Sequence, residues 1–249
     1  MGKSARKSKV VAFSCLHAPF TDASSFRKLC RLIKLERPTH VINLGDWFES
    51  DAASVHPDES SHTLEDEYRH AAKQSVLLRK SAGSARLIWC LGNHDDNIPV
   101  PDPRRIPKPL RSLVHWNSHA TFGPEFRKWK QLPYIKAREG VYAVGPTLWC
   151  HGWESGVDSD MVEGQQVANM FKRSACIGLV VRGHTHRPRE VEPIKLRKNV
   201  PTQIFVANVG TIGPLKPDYM SRKDTSQWGA GAVVATIRGR EWEARLERF

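Results

Sequence analysis

The most constraining feature of this sequence is a series of short apolar runs, each ending in a polar motif. Such continuous apolar runs are typical of strands that are buried on both faces of a sheet. The fourth run reads as a hairpin that turns at Gly145-Pro146. The runs are Val10–Cys15, Val41–Leu44, Leu87–Leu91, Val141–Cys150 and Ile177–Val181.

Helical segments fit between these strands. Asp22 is placed to cap a helix that continues to about Glu36, and Thr63 with Asp66 resembles a capping box for a helix ending near Ser81. A third helix is predicted from about Asp160 to Ser174. Alternating strands and helices indicate a layered α/β fold, whereas the strands at 202–209, 230–237 and 242–247 lack intervening helices and are predicted to be antiparallel.

The length of 249 residues fits one domain, which we assign to residues 1–249. Residues 1–9 are predicted to be a basic tail. Residues 98–133 are rich in proline and basic residues and lie between two motifs, so they are predicted to be a substrate-facing insertion. Trp116 and Trp129 within it could stack on bases, but pinning of a long loop to the core is the favoured interpretation.

The lengths of the apolar runs and the pattern of cysteines indicate where in the cell the protein is expected. No apolar run approaches the ~18 residues that span a bilayer, and the first apolar run is too short for a signal-peptide core. The five cysteines are scattered and contain no CxxC pair, which favours reduced thiols. We therefore expect a cytoplasmic protein with no membrane partner. The sequence does not indicate an oligomeric state.

The formal net charge of +12 attracts polyanions. It moderately favours DNA, RNA or another anionic phosphoester as partner over a simple solubilising charge. Part of the excess lies in residues 3–9 and in Arg104, Arg105 and Lys108. Lys34 and Arg37 are interpreted as a solvated helix face.

The polar motifs predict a shared site. In open α/β sheets, ligands bind beyond the carboxyl ends of the strands, and five strand ends here carry metal-binding residue types. A single histidine of this kind is more often a buried, hydrogen-bonded core residue, but five such motifs are hard to explain by packing. The spacing His184-Thr185-His186 can direct two imidazoles towards adjacent ions.

These motifs resemble the calcineurin-like metallophosphoesterase family, whose compact phage and bacterial members this chain is most similar to. The family pattern is Asp-x-His, Gly-Asp, Gly-Asn-His-(Asp/Glu), a lone His and Gly-His-x-His. The resemblance covers about residues 10–209 and implies a four-layer αββα sandwich of two mixed β-sheets. The matching segments here are Cys15–His17, Gly45–Asp46, Gly92–Asp95, His151–Gly152 and Gly183–His186.

The resemblance also implies a role for each residue. Cys15, His17 and His186 would bind one metal; Asn93, His151 and His184 would bind the other. The carboxylate of Asp46 would bridge both. His94 would face the scissile phosphate without touching the metals, and Asp95 would orient His94.

Two metals held by a bridging carboxylate ~3.5–4 Å apart can share an attacking hydroxide and a phosphoryl oxygen. A free imidazole beside them can protonate the leaving group. Arg187 is a further candidate for contact with phosphate, more so than Arg182, although surface solvation explains either about equally well. Asp51 could support the site, but a helix cap or exposed acid is the preferred interpretation.

Cys15 departs from the family pattern, which has Asp at this position. Either the metal there is lost and Cys15 is a small buried thiol, or it coordinates as thiolate, which would favour zinc or iron over manganese. RNA lariat-debranching enzymes share this cysteine, and we favour coordination because the other six ligand positions are intact.

The leading functional hypothesis is a metal-dependent phosphodiesterase or nuclease acting on nucleic acid or nucleotides. The first alternative is a phosphomonoesterase, acting on protein or small molecules. The second alternative is a non-catalytic nucleic-acid-binding module with a relic metal site.

Overall fold

The computed structural model describes residues 7–50, 62–97, 115–171, 178–196, 200–217 and 224–249. Eleven strands and five α-helices lie within these ranges. The strands are β1 (Lys7–Phe13), β2 (His40–Asn43), β3 (Arg86–Cys90), β4 (Lys130–Leu132), β5 (Tyr142–Val144), β6 (Thr147–Trp149), β7 (Gly178–Arg182), β8 (Arg189–Leu196), β9 (Val200–Asn208), β10 (Gly231–Arg238) and β11 (Glu241–Arg248). The helices are α1 (Ala23–Glu36), α2 (Leu64–Ala82), α3 (Asn93–Asp96), α4 (Gly123–Phe126) and α5 (Ser159–Met170).

The strands form two mixed sheets. The first has the order β11-β10-β1-β2-β3-β4, in which β1 to β4 are parallel and β10 and β11 are antiparallel additions. The second has the order β5-β6-β7-β9-β8, with β6, β7 and β9 parallel and the outer strands β5 and β8 antiparallel. The predicted antiparallel character of the last strands therefore holds for β10 and β11, whereas β9 is antiparallel to β8 but parallel to β7.

A common apolar core joins the two sheets face to face. Val10 and Ala12 of β1 belong to the same buried cluster as Trp149 of β6 and Val181 of β7. Helices α1 and α2 cover the outer face of the first sheet, and α5 covers the second. The four-layer αββα sandwich is confirmed.

The helix ends follow from local sequence. The side chain of Asp22 accepts a hydrogen bond from the Ser25 amide at the start of α1. Thr63 and Asp66 form the predicted capping box of α2, and Gly83 ends that helix. Helix α5 ends at Met170; the predicted continuation to Ser174 lies outside the described residues.

The structure shortens the predicted N-terminal tail and buries the tryptophans of the proposed insertion. Strand β1 begins at Lys7, so the predicted tail of residues 1–9 is too long: Lys7 and Lys9 pair with β10, and residues 1–6 lie outside the described part. In the proposed insertion, Trp116 and Trp129 are almost fully buried in the first core cluster, which confirms pinning over base stacking. Residues 98–114, with Arg104, Arg105 and Lys108, are not among the described residues.

Among the described residues, no helix combines the length and the apolar composition that crossing a bilayer requires.

Candidate metal centre

The polar motifs of both sheets meet at one edge of the sandwich. Parallel strands β1, β2 and β3 of the first sheet and β6 and β7 of the second point their carboxyl ends towards this edge. The loops are held together by main-chain hydrogen bonds, for example from the Cys15 amide to the Gly45 carbonyl at 2.8 Å. Gly92 permits the closest approach, because an added Cβ would collide with the Asp46 carboxylate.

A first cluster combines Cys15, His17, Asp46 and His186. One ligand atom from each residue lies within 4.8 Å of the others, and all four side chains are buried. The Nε2 atoms of His17 and His186 are 3.1 Å apart, and the Cys15 Sγ lies 3.8 Å from the Asp46 Oδ2. The structure thus brings together the residues predicted for one metal and its bridging carboxylate.

A second cluster surrounds the Nε2 atom of His151. That nitrogen lies 3.2 Å from the Asp46 Oδ2, 3.1 Å from the Asn93 Oδ1 and 3.1 Å from the His184 Nδ1. Asp46 therefore belongs to both clusters, and its Oδ2 faces each of them. This arrangement matches the predicted division of the seven residues into two sets with a shared carboxylate.

The spacing of these atoms fits metal coordination. Ligands at ~2.0–2.1 Å from a zinc-like ion are roughly 2.9–3.4 Å apart along the edges of its coordination shell. The 3.1–3.2 Å separations among the imidazole nitrogens and oxygens fall within that range. Two imidazole nitrogens facing each other in a buried space, as in the His17–His186 pair, are well explained by a shared cation.

A hydrogen bond orients the His151 imidazole, and a close contact with a carboxylate orients that of His17. The Nδ1 of His151 donates to the Leu44 carbonyl at 2.5 Å, and the Nδ1 of His17 lies 2.7 Å from the Glu49 Oε2. In each ring the Nε2 is thereby directed towards the cluster. Fixing the outer nitrogen in this way sets the tautomer of a metal-binding histidine and increases its basicity.

The pKa values of three side chains at the buried centre are shifted. Burial raises the pKa of Asp46, but the charges of His151 and His94 outweigh it and hold that pKa well below its usual range. Burial lowers the pKa of His17, but the Glu49 carboxylate reverses the effect and leaves it well above its ordinary value. Burial, assisted by the charge on His151, lowers the pKa of His184 to about 3, so this ring is neutral.

The thiol of Cys15 is completely buried, and it contacts the Ser14 Oγ at 3.1 Å. Burial and the nearby Asp46 carboxylate both raise its pKa, so the thiolate requires a cation beside it. The position of Sγ within the first cluster fits a thiolate ligand, because a dication would supply that charge. Coordination by Cys15 remains a prediction, supported by this placement.

His94 differs from the ligand histidines in exposure and orientation. Its side chain is 26% exposed, and its Nδ1 donates to the Glu49 carbonyl at 2.6 Å. This leaves the Nε2 for a bound molecule. The ring packs edge-on against His17, with centroids 4.8 Å apart, so it adjoins the first cluster without belonging to either set of predicted ligands.

Comparison with known proteins agrees with this geometry. The family model described as calcineurin-like phosphoesterase matches residues 8–188. The chain belongs to the calcineurin-like phosphoesterase family. That membership implies divalent metal ions, and the two clusters offer atoms that could hold them.

Solved structures share the fold of this phosphoesterase at low sequence identity. A metallophosphoesterase from Sphaerobacter thermophilus is 16% identical with a TM-score of 0.50, covering 97% of this chain and 88% of that protein. A structure of PhoD is 10% identical with a TM-score of 0.52, covering 98% and 66% respectively. A search of curated protein sequences finds no match.

The role predicted for Asp95 in this phosphoesterase is wrong. Its carboxylate does not hold the His94 ring, which the Glu49 carbonyl orients. Instead, it accepts hydrogen bonds from the amides of residues 46, 47, 48 and 92 and from the Trp89 indole, at 2.8–3.2 Å. Asp95 therefore fixes the loop that carries Asp46, and it acts on the Asp46 carboxylate through the main chain.

Two arginines considered from the sequence differ in their surroundings. Arg182 is fully buried and lies 3.3 Å from the Asp160 carboxylate and 3.2 Å from that of Glu163, so it cannot reach a phosphate. Arg187 is half-buried beside His186, and its charge adds to the hydrogen bonds from Ser226 that lower the pKa of Asp224. Substrate contact by Arg187 remains a prediction.

Sequence reasoning missed two residues at the site. Glu49 orients His17 through its carboxylate and His94 through its carbonyl; its place three residues after Asp46 was the available signal. Asp51, the acidic residue considered from the sequence, lies outside the described residues.

The second missed residue is Tyr134. Its ring packs edge-on against His151, with centroids 5.7 Å apart, and lies nearly parallel to Trp153 at 6.5 Å.

Left-handed backbone conformations recur at the site. Five predicted metal ligands have positive φ angles of 49–69° although none is glycine: Cys15, His17, Asp46, His184 and His186. Such conformations cost of order 1–3 kcal/mol each and persist where surrounding contacts enforce them. At Cys15 the backbone is held in this conformation by its carbonyl, which accepts hydrogen bonds from the Ile212 and Gly213 amides and from the Thr211 hydroxyl.

Proposed function

We propose that this protein is a two-metal phosphodiesterase acting on nucleic acid or nucleotides. The observation that carries the proposal is the position of Asp46 between two groups of potential ligand atoms, with the partly exposed His94 ring beside them. Bound dications supply Lewis acidity for a phosphoryl group and lower the pKa of water. The soft thiolate of Cys15 would favour zinc or iron in the first set.

Residues around the metal ligands would donate a proton, position Asp46 and contact the phosphate. His94, held through its Nδ1 by Glu49, is placed to donate a proton from Nε2 to the leaving oxygen as its bond to phosphorus breaks. Asp95 keeps Asp46 in place through the main-chain amides. Arg187 would meet phosphate oxygens next to the first set.

The preference for a diester rests on the surroundings of the site. The net charge of +12 favours a polyanionic substrate. Tyr134 and Trp153 place aromatic rings beside the second set, where a nucleobase or another planar leaving group could stack. A phosphomonoesterase would use the same ligands and differs only in how it receives the leaving group.

Replacing His94 by glutamine tests the proposal. We expect kcat for bis-p-nitrophenyl phosphate to fall by roughly 10²- to 10⁴-fold, the contribution of a proton-transfer residue, with metal content unchanged. The wild-type enzyme should cleave this diester faster than p-nitrophenyl phosphate. Faster cleavage of the monoester would favour the phosphatase alternative, and DNA or RNA binding without turnover under manganese, zinc or iron would favour the non-catalytic module.

Replacing Cys15 by serine tests the unusual ligand. We expect the metal stoichiometry to fall towards one ion per chain, because a serine hydroxyl does not ionise as readily, and activity at limiting metal to fall at least tenfold. Elemental analysis of protein purified without added metal measures the first effect. The control is Cys30→Ser, on the half-buried thiol of α1. Unchanged stoichiometry in Cys15→Ser would show that Cys15 is only a buried thiol.

A further inference from the structure

A basic surface lies at the edge of the first sheet opposite the metal centre. We call it the basic edge and define it by Lys7, Lys9, Lys34, Arg37, Arg86 and Lys130. A groove of about 770 Å³ runs between the start of β1 and the end of α1. A second groove, of about 490 Å³, follows at the starts of β3 and β4.

The two grooves belong to one continuous surface. Strands β1, β2, β3 and β4 are consecutive neighbours in the sheet. The Thr39 amide donates to the Lys9 carbonyl, and the Arg86 amide donates to the Thr39 carbonyl. Lys130 is the register partner of Ile88, two residues after Arg86. Three inter-strand spacings of ~4.8 Å therefore spread these cations over roughly 14 Å.

Most of these cations are not neutralised. Lys9 is paired with Glu36, whose other oxygen binds Arg245. Within the described ranges, no carboxylate lies within 4.0 Å of the charged groups of Lys7, Lys34, Arg37, Arg86 or Lys130. Cations outnumber Glu36 in the lining of the first groove, and such a surplus concentrates a positive field that attracts counter-ions.

Favourable interaction with the dipole of a helix explains only some of the cations of the basic edge. Lys34 lies in the last turn of α1, where a cation is favourable. Lys7, Arg86 and Lys130 lie at the starts of strands, which have no comparable dipole. The interpretation of Lys34 and Arg37 as a simple solvated helix face is therefore incomplete, because neighbouring strands extend the same charge across the sheet.

We infer that the basic edge is a second binding surface, which holds the phosphodiester backbone of a nucleic acid. A row of cations along a groove matches the linear array of charges on such a backbone. An anionic membrane would also require apolar side chains to insert, and the first groove offers one exposed apolar residue, Leu35. Because β1 separates the basic edge from the metal centre by roughly 23 Å, only a polymer could contact both.

The test compares two double variants in binding to short fluorescent oligonucleotides, single-stranded and duplex. Lys34→Gln/Arg86→Gln removes two unpaired cations of the basic edge; Lys28→Gln/Lys73→Gln removes two exposed lysines from the middle of α1 and α2. Fluorescence anisotropy between about 50 and 200 mM salt gives the slope of log affinity against log salt. For the first variant we expect that slope to decrease in magnitude by about 1.4 for single strands and 1.8 for duplexes. The control variant should keep the wild-type slope.

Several outcomes would overturn the inference. Equal losses in both variants would mean that overall charge alone drives binding. Equal competition by inorganic phosphate and by an oligonucleotide at matched phosphate concentration would indicate a site for a single anion. Binding to vesicles containing phosphatidylserine, without binding to oligonucleotides, would indicate a membrane surface.

Measuring turnover of a small diester in the same double variants tests the basic edge and the metal centre independently. Turnover of bis-p-nitrophenyl phosphate, which is too small to reach the basic edge, should be equal in both double variants and in the wild type. Charge-dependent binding without turnover would contradict only the proposed function. Turnover without binding at the basic edge would contradict only the inference.

Discussion

Replacing Asp46 by asparagine is expected to abolish phosphoesterase activity while leaving the protein folded. The Oδ1 of Asp46 accepts a hydrogen bond from the His94 amide at 3.0 Å, and an asparagine oxygen can keep it. The Oδ2 faces His151 and Cys15, and an amide nitrogen in its place can neither bridge two cations nor carry negative charge. Both metals should therefore bind weakly or be lost.

The loss of activity in Asp46→Asn should exceed the roughly 10²- to 10⁴-fold effect of removing a proton-transfer residue, because both ligand sets share this carboxylate. Elemental analysis and turnover of bis-p-nitrophenyl phosphate measure the two effects. Asp96→Asn is the matched control, since it makes the same chemical change at an exposed position at the end of α3. Full metal content in Asp46→Asn would contradict the bridging role.

Replacing Arg182 by methionine is expected to destabilise the protein by about 3–5 kcal/mol, the usual result of removing one partner of a buried ion pair. The Arg182 side chain is fully buried between Asp160 and Glu163, and it also donates to the Glu154 carbonyl at 2.6 Å. Methionine has a similar volume, so the main effect is to leave the buried Glu163 carboxylate without its cation and Asp160 with only the partly exposed Arg189.

For a chain of this size, the expected loss corresponds to a decrease in Tm of about 6–20 °C. Thermal unfolding followed by circular dichroism measures it. The control is Arg189→Met, whose guanidinium contacts the same Asp160 but is 29% exposed; we expect about 1 kcal/mol or less. Equal losses in the two variants would contradict the special role of the buried arginine.

The fold and the site were predictable from the sequence to different extents. Apolar runs and capping residues locate β1, α1 and α2 to within a few residues, because burial and local hydrogen bonds determine them. The pairing of the two sheets came from the family resemblance. The parallel direction of β9 could not be inferred, because it depends on a pairing with β7 that has no local signal.

At the site, the predicted ligands converge because each follows a strand that ends at the same edge. The supporting contacts were harder to foresee. Asp95 acts through main-chain amides, and Glu49 acts on His94 through its carbonyl, so neither contact depends on a recognisable pair of side chains. Arg182 appears as a flanking cation in the sequence, and only the packing of α5 against β7 shows that its charge is enclosed.

The left-handed backbone conformations at the predicted metal ligands lower the stability of the folded protein, although the side chains there are suited to metal binding. Glycine or asparagine adopts a positive φ at lower cost than cysteine or histidine. A chain released from selection for catalysis would therefore gain stability by exchanging His184 or Cys15 for such residues. Four of the five left-handed ligand positions carry cysteine or histidine, side chains that this backbone conformation does not favour by itself.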